Sequence, residues 1–218
     1  MRDNKVVGPT AALVILGSVL TMVFSFSGGL GPPFDPSPHE AAGRVLARQT
    51  LSLLKPGGQV IVIARDTVTF KAPASEAQLA AFRKELTKAG AKIDSIQFFE
   101  IDPNKPLVVP ADDFIRFIRS ATNGSVIVSL MGPPILTDAQ VTQLGHIEPA
   151  IVAFCPGAVR NQVDLRSLFA QGSLKAAVVS KPHASIARGP AENEQDTFDR
   201  QFIEVTPTNL AALSTPSP

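Results

Sequence analysis

Ser125-Val126-Ile127-Val128-Ser129-Leu130-Met131 carries no charge, is rich in β-branched side chains, and follows the turn pair Asn123-Gly124. Successive side chains of a strand point to opposite sides, so a strand with one wet face alternates apolar and polar residues. An apolar run of this kind reads instead as a strand covered on both faces. Gln59-Val60-Ile61-Val62-Ile63-Ala64, after the turn Pro56-Gly57-Gly58, has the same character, as do Ile151-Val152-Ala153-Phe154 and Ala176-Ala177-Val178-Val179-Ser180. Residues 93–101 give a more mixed strand, as expected nearer a sheet edge.

Helical patterns fill the gaps between these runs. Ser37-Pro38-His39-Glu40 has the form of a capping box with proline at the first helical position, opening a helix to about residue 54 with Arg44 and Arg48 wet and Val45, Leu46 and Leu53 inward. Ser75-Glu76-Ala77-Gln78 starts a helix with Leu79, Phe82 and Leu86 on one face and Gly90 to close it. Ala111-Asp112-Asp113 places acids at the positive end of a third helix, with Phe114, Phe117 and Ile118 inward. Thr137-Asp138-Ala139-Gln140 is a second capping box, for a helix carrying Val141 and Leu144, and a further helix through Leu165, Leu168 and Phe169 ends near Gly172.

Strands and helices alternating at intervals of about 25 to 35 residues imply a parallel sheet with helices on both faces. The expected fold is therefore α/β, a three-layer, doubly wound domain over residues 38–206. Its mostly parallel, five-stranded sheet takes the flavodoxin-like order 2-1-3-4-5. Phe202-Ile203-Glu204-Val205 is a candidate extra edge strand, residues 188–199 read as a solvated loop, and residues 207–218 form a C-terminal tail.

Ahead of this domain, residues 6–30 contain no charged side chain and follow a head bearing Arg2, Asp3 and Lys5. As a helix the run reaches about 37 Å, enough to cross a hydrocarbon core of about 30 Å. It is expected to be a transmembrane signal-anchor, with residues 1–5 cytoplasmic, 31–37 a Gly/Pro linker, and the domain extracytoplasmic on a single-pass (inner) membrane protein. The rival is a cleaved secretory signal, disfavoured because Ser25-Phe26-Ser27 is a poor cleavage site.

The remaining composition narrows the function. Lysines plus arginines number 20 against 19 acids, so no field attracts nucleic acid. The single cysteine, Cys155, cannot close an internal disulfide. Neither G-x-G-x-x-G nor G-x-x-x-x-G-K-[ST] occurs, so no nucleotide cofactor is expected, and G-x-S-x-G, the hydrolase elbow, is missing too. The histidines His39, His146 and His183 have no i,i+4 partner, which gives no metal-ligand pattern.

In open α/β sheets ligands sit outside the carboxyl ends of the strands. The first strand delivers Arg65, Asp66 and Thr67 there, the second Glu100 and Asp102, the third Gly132 and Pro133, the fourth Cys155 and Gly157, and the fifth Lys181 and His183. The candidate binding rim is Asp66, Asp102, Gly132, Pro133, Cys155, Gly157, Lys181 and His183. Asp66, Asp102 and His183 are its acid/base equipment, effective only if they converge. Cys155 at a strand end before a helix is a candidate activated thiol, against the plainer reading of a small buried hydrophobe.

The stretches from Gly124 to Gly132 and from Ile151 to Gly157 resemble one lobe of type I periplasmic-binding-protein-like domains, over roughly residues 59–180. That resemblance implies an extracytoplasmic, non-catalytic binding role for a small molecule or an envelope protein. Those receptors close two lobes on a ligand, and this chain has room for one, so transport-type capture does not carry over. A hydrolase using the rim and a structural component of an envelope assembly are the alternatives.

Overall fold

The four apolar runs and the mixed run at residues 93–101 all become strands, and a sixth joins them. In the computed structural model, which describes residues 34–100, 108–145, 147, 149–160, 163–181 and 191–213, the strands are β1 (Val60–Arg65), β2 (Ser95–Phe99), β3 (Val126–Ser129), β4 (Ala150–Cys155), β5 (Ala176–Ser180) and β6 (Phe202–Val205). They form one sheet in the order β2-β1-β3-β4-β5-β6. The first five are parallel, and β6 pairs antiparallel with β5. The expected order 2-1-3-4-5 is present, and the expected five strands become six because the candidate edge strand at residues 202–205 is real.

Register explains why the central runs carry no polar alternation. Val62, Val128 and Val152 stand side by side across β1, β3 and β4. With Val60, Ala64, Val126, Phe154, Ala176 and Val178 they face one core layer, while Ile61, Ile63, Ile127, Ile151, Ala153, Cys155, Ala177 and Val179 face the other. Each fully buried valine contributes about 1.5–3 kcal/mol relative to leaving it exposed.

The helices are α1 (Ser37–Leu53), α2 (Pro73–Lys88), α3 (Ala111–Ser120), α4 (Asp138–Leu144), α5 (Gly157–Arg160), α6 (Leu165–Ala170) and α7 (Glu194–Gln201). Helices α1, α2 and α7 supply Ala41, Leu46, Phe82, Leu86 and Phe198 to the first layer; α3 and α6 supply Phe114, Phe117, Ile118, Leu165, Leu168 and Phe169 to the second. The Thr137 capping box is present in both directions. The one expected at Ser37 is not. Pro36 occupies the N-cap in a helical conformation and its carbonyl takes Glu40 N–H at 2.9 Å, so Ser37 lies inside the helix and Glu40 pairs with Arg44.

The solvated loop expected over residues 188–199 is also corrected: its described end is helical. Asn193 caps α7 by accepting from Asp196 N–H at 2.9 Å, and Phe198 is buried beneath it. Glu194 of α7 pairs with Arg44 at 2.9 Å and Arg48 at 3.3 Å, so the outer face of α1 is partly covered rather than wet.

The residues from Pro36 onward form one unit. The expected anchor at residues 6–30 lies outside the described residues, as do Asp102, His146, His183 and residues 214–218. Among the described residues no helix is long and apolar enough to cross a membrane.

Candidate functional site

Chain direction gives the sheet two unlike ends. The connection from β1 leads to β2 on one side, whereas β3 leads on to β4 and β5 on the other, so the connections diverge between the carboxyl ends of β1 and β3. This is the switch point at which a doubly wound sheet opens a crevice.

A small cavity of about 30 Å³ lies there, lined by Ala64, Arg65 and Thr67 of β1 and its exit, Ser75, Glu76 and Leu79 of α2, Phe98 of β2 and Leu130 after β3. Leu130 N–H donates to Ile63 O at 2.9 Å, which ties the two strands together just below it. Such a volume takes one small polar group, a hydroxyl or a water. The hydroxyls of Thr67 and Ser75 and the Glu76 carboxylate supply donors and acceptors at its wall. The Arg65 Nε is enclosed and has no hydrogen-bond partner. Buried N–H groups are nearly always paired, because leaving one unmade costs about 1–3 kcal/mol, so this orphan at the switch point calls for an explanation.

The expected rim residues are less united. Asp66 accepts from Val68 N–H at 2.8 Å, an Asx turn that shapes its own loop, and lines a second small crevice with Thr69, Phe70 and Glu100. Lys181 Nζ donates to the carbonyl of Asp199 in α7, and Pro133 is buried. Gly132 holds φ +105°, and a Cβ on it would stand 2.9 Å from Val159 Cγ1. Gly157, by contrast, begins α5 and faces open space.

Cys155 does not reach the rim. It is 0% exposed on the same face of β4 as Ile151 and Ala153, and burial pushes its thiol up to about 12. A thiol so desolvated is inert at neutral pH, which removes the activated-nucleophile reading. Among the described residues no group of three or more His, Cys, Asp and Glu side chains is arranged to hold a metal.

The residues that do line the switch-point cavity were only partly readable from the sequence. Arg65 and Thr67 were legible as the exit of the first buried strand. Ser75, Glu76 and Phe98 come from the first turn of α2 and from the neighbouring strand, and only the fold brings them together.

No protein-family model matches the chain, and no curated protein matches it. Solved structures do. An ABC transporter solute-binding protein from Burkholderia graminis in complex with D-arabinose is similar over 81% of this chain and 62% of its own, with 16% identity and a TM-score of 0.54. AraP, an arabinose-binding protein from Geobacillus stearothermophilus, matches over 81% and 63%, with 12% identity and a TM-score of 0.52. The Caulobacter myo-inositol binding protein bound to myo-inositol matches over 81% and 61%, with 15% identity and a TM-score of 0.50. The chain thus spans about three fifths of the length of the proteins it matches. Its fold is that of a type I periplasmic-binding-protein-like lobe, as the resemblance implied.

Proposed function

We propose that the chain is a membrane-anchored, extracytoplasmic α/β module with a non-catalytic binding role, its ligand seated at the carboxyl ends of β1 and β3. In this reading residues 1–5 are cytoplasmic, residues 6–30 anchor the chain, residues 31–37 link, and residues 38–206 bind. The observation that carries it is the enclosed, unpartnered Arg65 Nε beside a cavity lined by Thr67, Ser75 and Glu76. A ligand oxygen would satisfy that N–H. Proteins of this fold hold D-arabinose and myo-inositol. A hydroxylated ligand suits the cavity, since a hydroxyl accepts from Arg65 or Ser75 while donating to Glu76.

Isothermal titration of D-arabinose and myo-inositol into wild type and Arg65→Met tests the reading. Hydrogen bonds to a charged group contribute about 1.5–3 kcal/mol, so Arg65→Met is expected to weaken binding by about 10- to 100-fold with the melting temperature retained. Equal binding by a folded Arg65→Met variant, or no binding of either polyol by wild type, contradicts it.

A further inference from the structure

The large apolar side chains that the domain leaves exposed are not scattered. Among its described residues Val68 (86%), Phe70 (46%), Phe98 (56%), Val108 (36%) and Ile135 (42%) are the exposed ones. Val68 and Phe70 lie between β1 and α2, Phe98 near the end of β2, Val108 between β2 and α3, and Ile135 between β3 and α4. Every one of these places is at the carboxyl end of the sheet. Single exposed apolar residues need no explanation, but a group gathered at one end marks a surface that something covers.

The start of α1 is at that same end. His39 packs edge-on against Phe202 with ring centroids 6.1 Å apart, and Phe202 pairs with Ser180, the last residue of β5. Between the uncharged run at residues 6–30 and Ser37 there are only residues 31–36, which extend at most about 20 Å. A chain that leaves a bilayer at residue 30 therefore enters its domain at the carboxyl end.

We infer that the patch of Val68, Phe70 and Phe98 rests on the lipid surface of the membrane, its side chains entering the headgroup boundary, so that the carboxyl end of the sheet faces the bilayer. The inference rests on residues 6–30 being an anchor. Val68 and Phe70 stand on an exposed loop, with exposed Lys71 beside them to meet phosphate oxygens.

The buried Cys155 makes the test simple, because the native thiol is enclosed and does not label. The full chain carrying Val68→Cys, Phe70→Cys or, at the amino end, Lys92→Cys is labelled with an environment-sensitive fluorophore and reconstituted in phosphatidylcholine/phosphatidylglycerol vesicles. Vesicles are washed in alkali, then spin-labelled lipid is included at shallow depth. The expected result is retention after the wash, with severalfold stronger quenching at positions 68 and 70 than at 92. Equal quenching at both ends in washed, loaded vesicles overturns the inference while leaving the anchor standing. Loss of the chain in the wash overturns the anchor and the inference with it. Fluorescence changes at 68 that follow protein density rather than spin-labelled lipid assign the patch to a second copy of the chain, which also overturns it.

Discussion

The two ends of the sheet are built on different principles. At the amino end the helix-to-strand connections are held mainly by backbone and short side-chain hydrogen bonds, the buried Ser173 Oγ being without a partner there. Gly57, Gly90, Gly124, Gly145 and Gly172 all hold positive φ there, Asp94 Oδ2 accepts from Val60 N–H at 2.7 Å, Ser125 Oγ accepts from Gln59 N–H at 2.9 Å, and Lys55 N–H donates to Gly124 O at 3.0 Å. At the carboxyl end stand the orphaned Arg65 Nε, the small crevices around β1 and the exposed apolar residues. Backbone satisfied by backbone and short caps contributes to stability. Polar and apolar groups left without partners contribute no such stability, and in the proposed reading the contrast separates the end that holds the fold from the end that binds.

Substitutions can break this division. The largest effect is expected at the amino end with Gly58→Ala, whose Cβ would lie 2.2 Å from Gly124 O. Backbone cannot step aside as a side chain can, so the loss should be about 3 kcal/mol, read as a fall of several degrees in melting temperature. Gly132→Ala, the counterpart at the carboxyl end, combines φ +105° with a 2.9 Å approach to the tip of Val159, which can rotate. Its cost should be about 1–2 kcal/mol, and a loss exceeding that of Gly58→Ala would undo the ranking.

Beneath both ends, Cys155 makes a pH-dependent contribution. Its thiol is raised from 9.0 to about 12 by burial, so its contribution is complete below about pH 9 and falls as pH rises towards 12. At pH 10 the loss is on the order of 1 kcal/mol relative to Cys155→Ala, measured by denaturant unfolding of both proteins across this range. Parallel pH profiles would show that the thiol ionises as easily folded as unfolded. The smallest effect belongs to Val68→Ser, which should change stability by less than about 0.5 kcal/mol because the side chain packs against almost nothing. A large drop in melting temperature there would mean that the carboxyl-end loop holds the fold after all.

Much of this architecture was written in the chain. The unbroken apolar runs placed β1, β3, β4 and β5, and the requirement that parallel strands be joined by helices gave a doubly wound sheet, whose simplest order, the flavodoxin-like one, is the one observed. Helix α7 was hidden because Phe198 is its single buried residue, too little for a periodic signal, and its attachment depends on Glu194 reaching Arg44 and Arg48 in α1. The Ser37 capping box failed since spacing alone cannot tell whether Pro36 is already helical. For the site, strand alternation from Ile151 and Ala153 already pointed Cys155 inward, whereas the partnership of Thr67 with Ser75 and Phe98 depends on register and on where α2 begins.

Hydrogen–deuterium exchange of the full chain in lipid nanodiscs, with and without saturating D-arabinose or myo-inositol, tests the central claim most directly. Binding at the carboxyl end should slow exchange across residues 65–76 and 130–135 while leaving the amino-end turns at residues 54–59 and 121–125 unchanged. Protection confined to those amino-end turns, with residues 65–76 indifferent to a bound ligand, would contradict it.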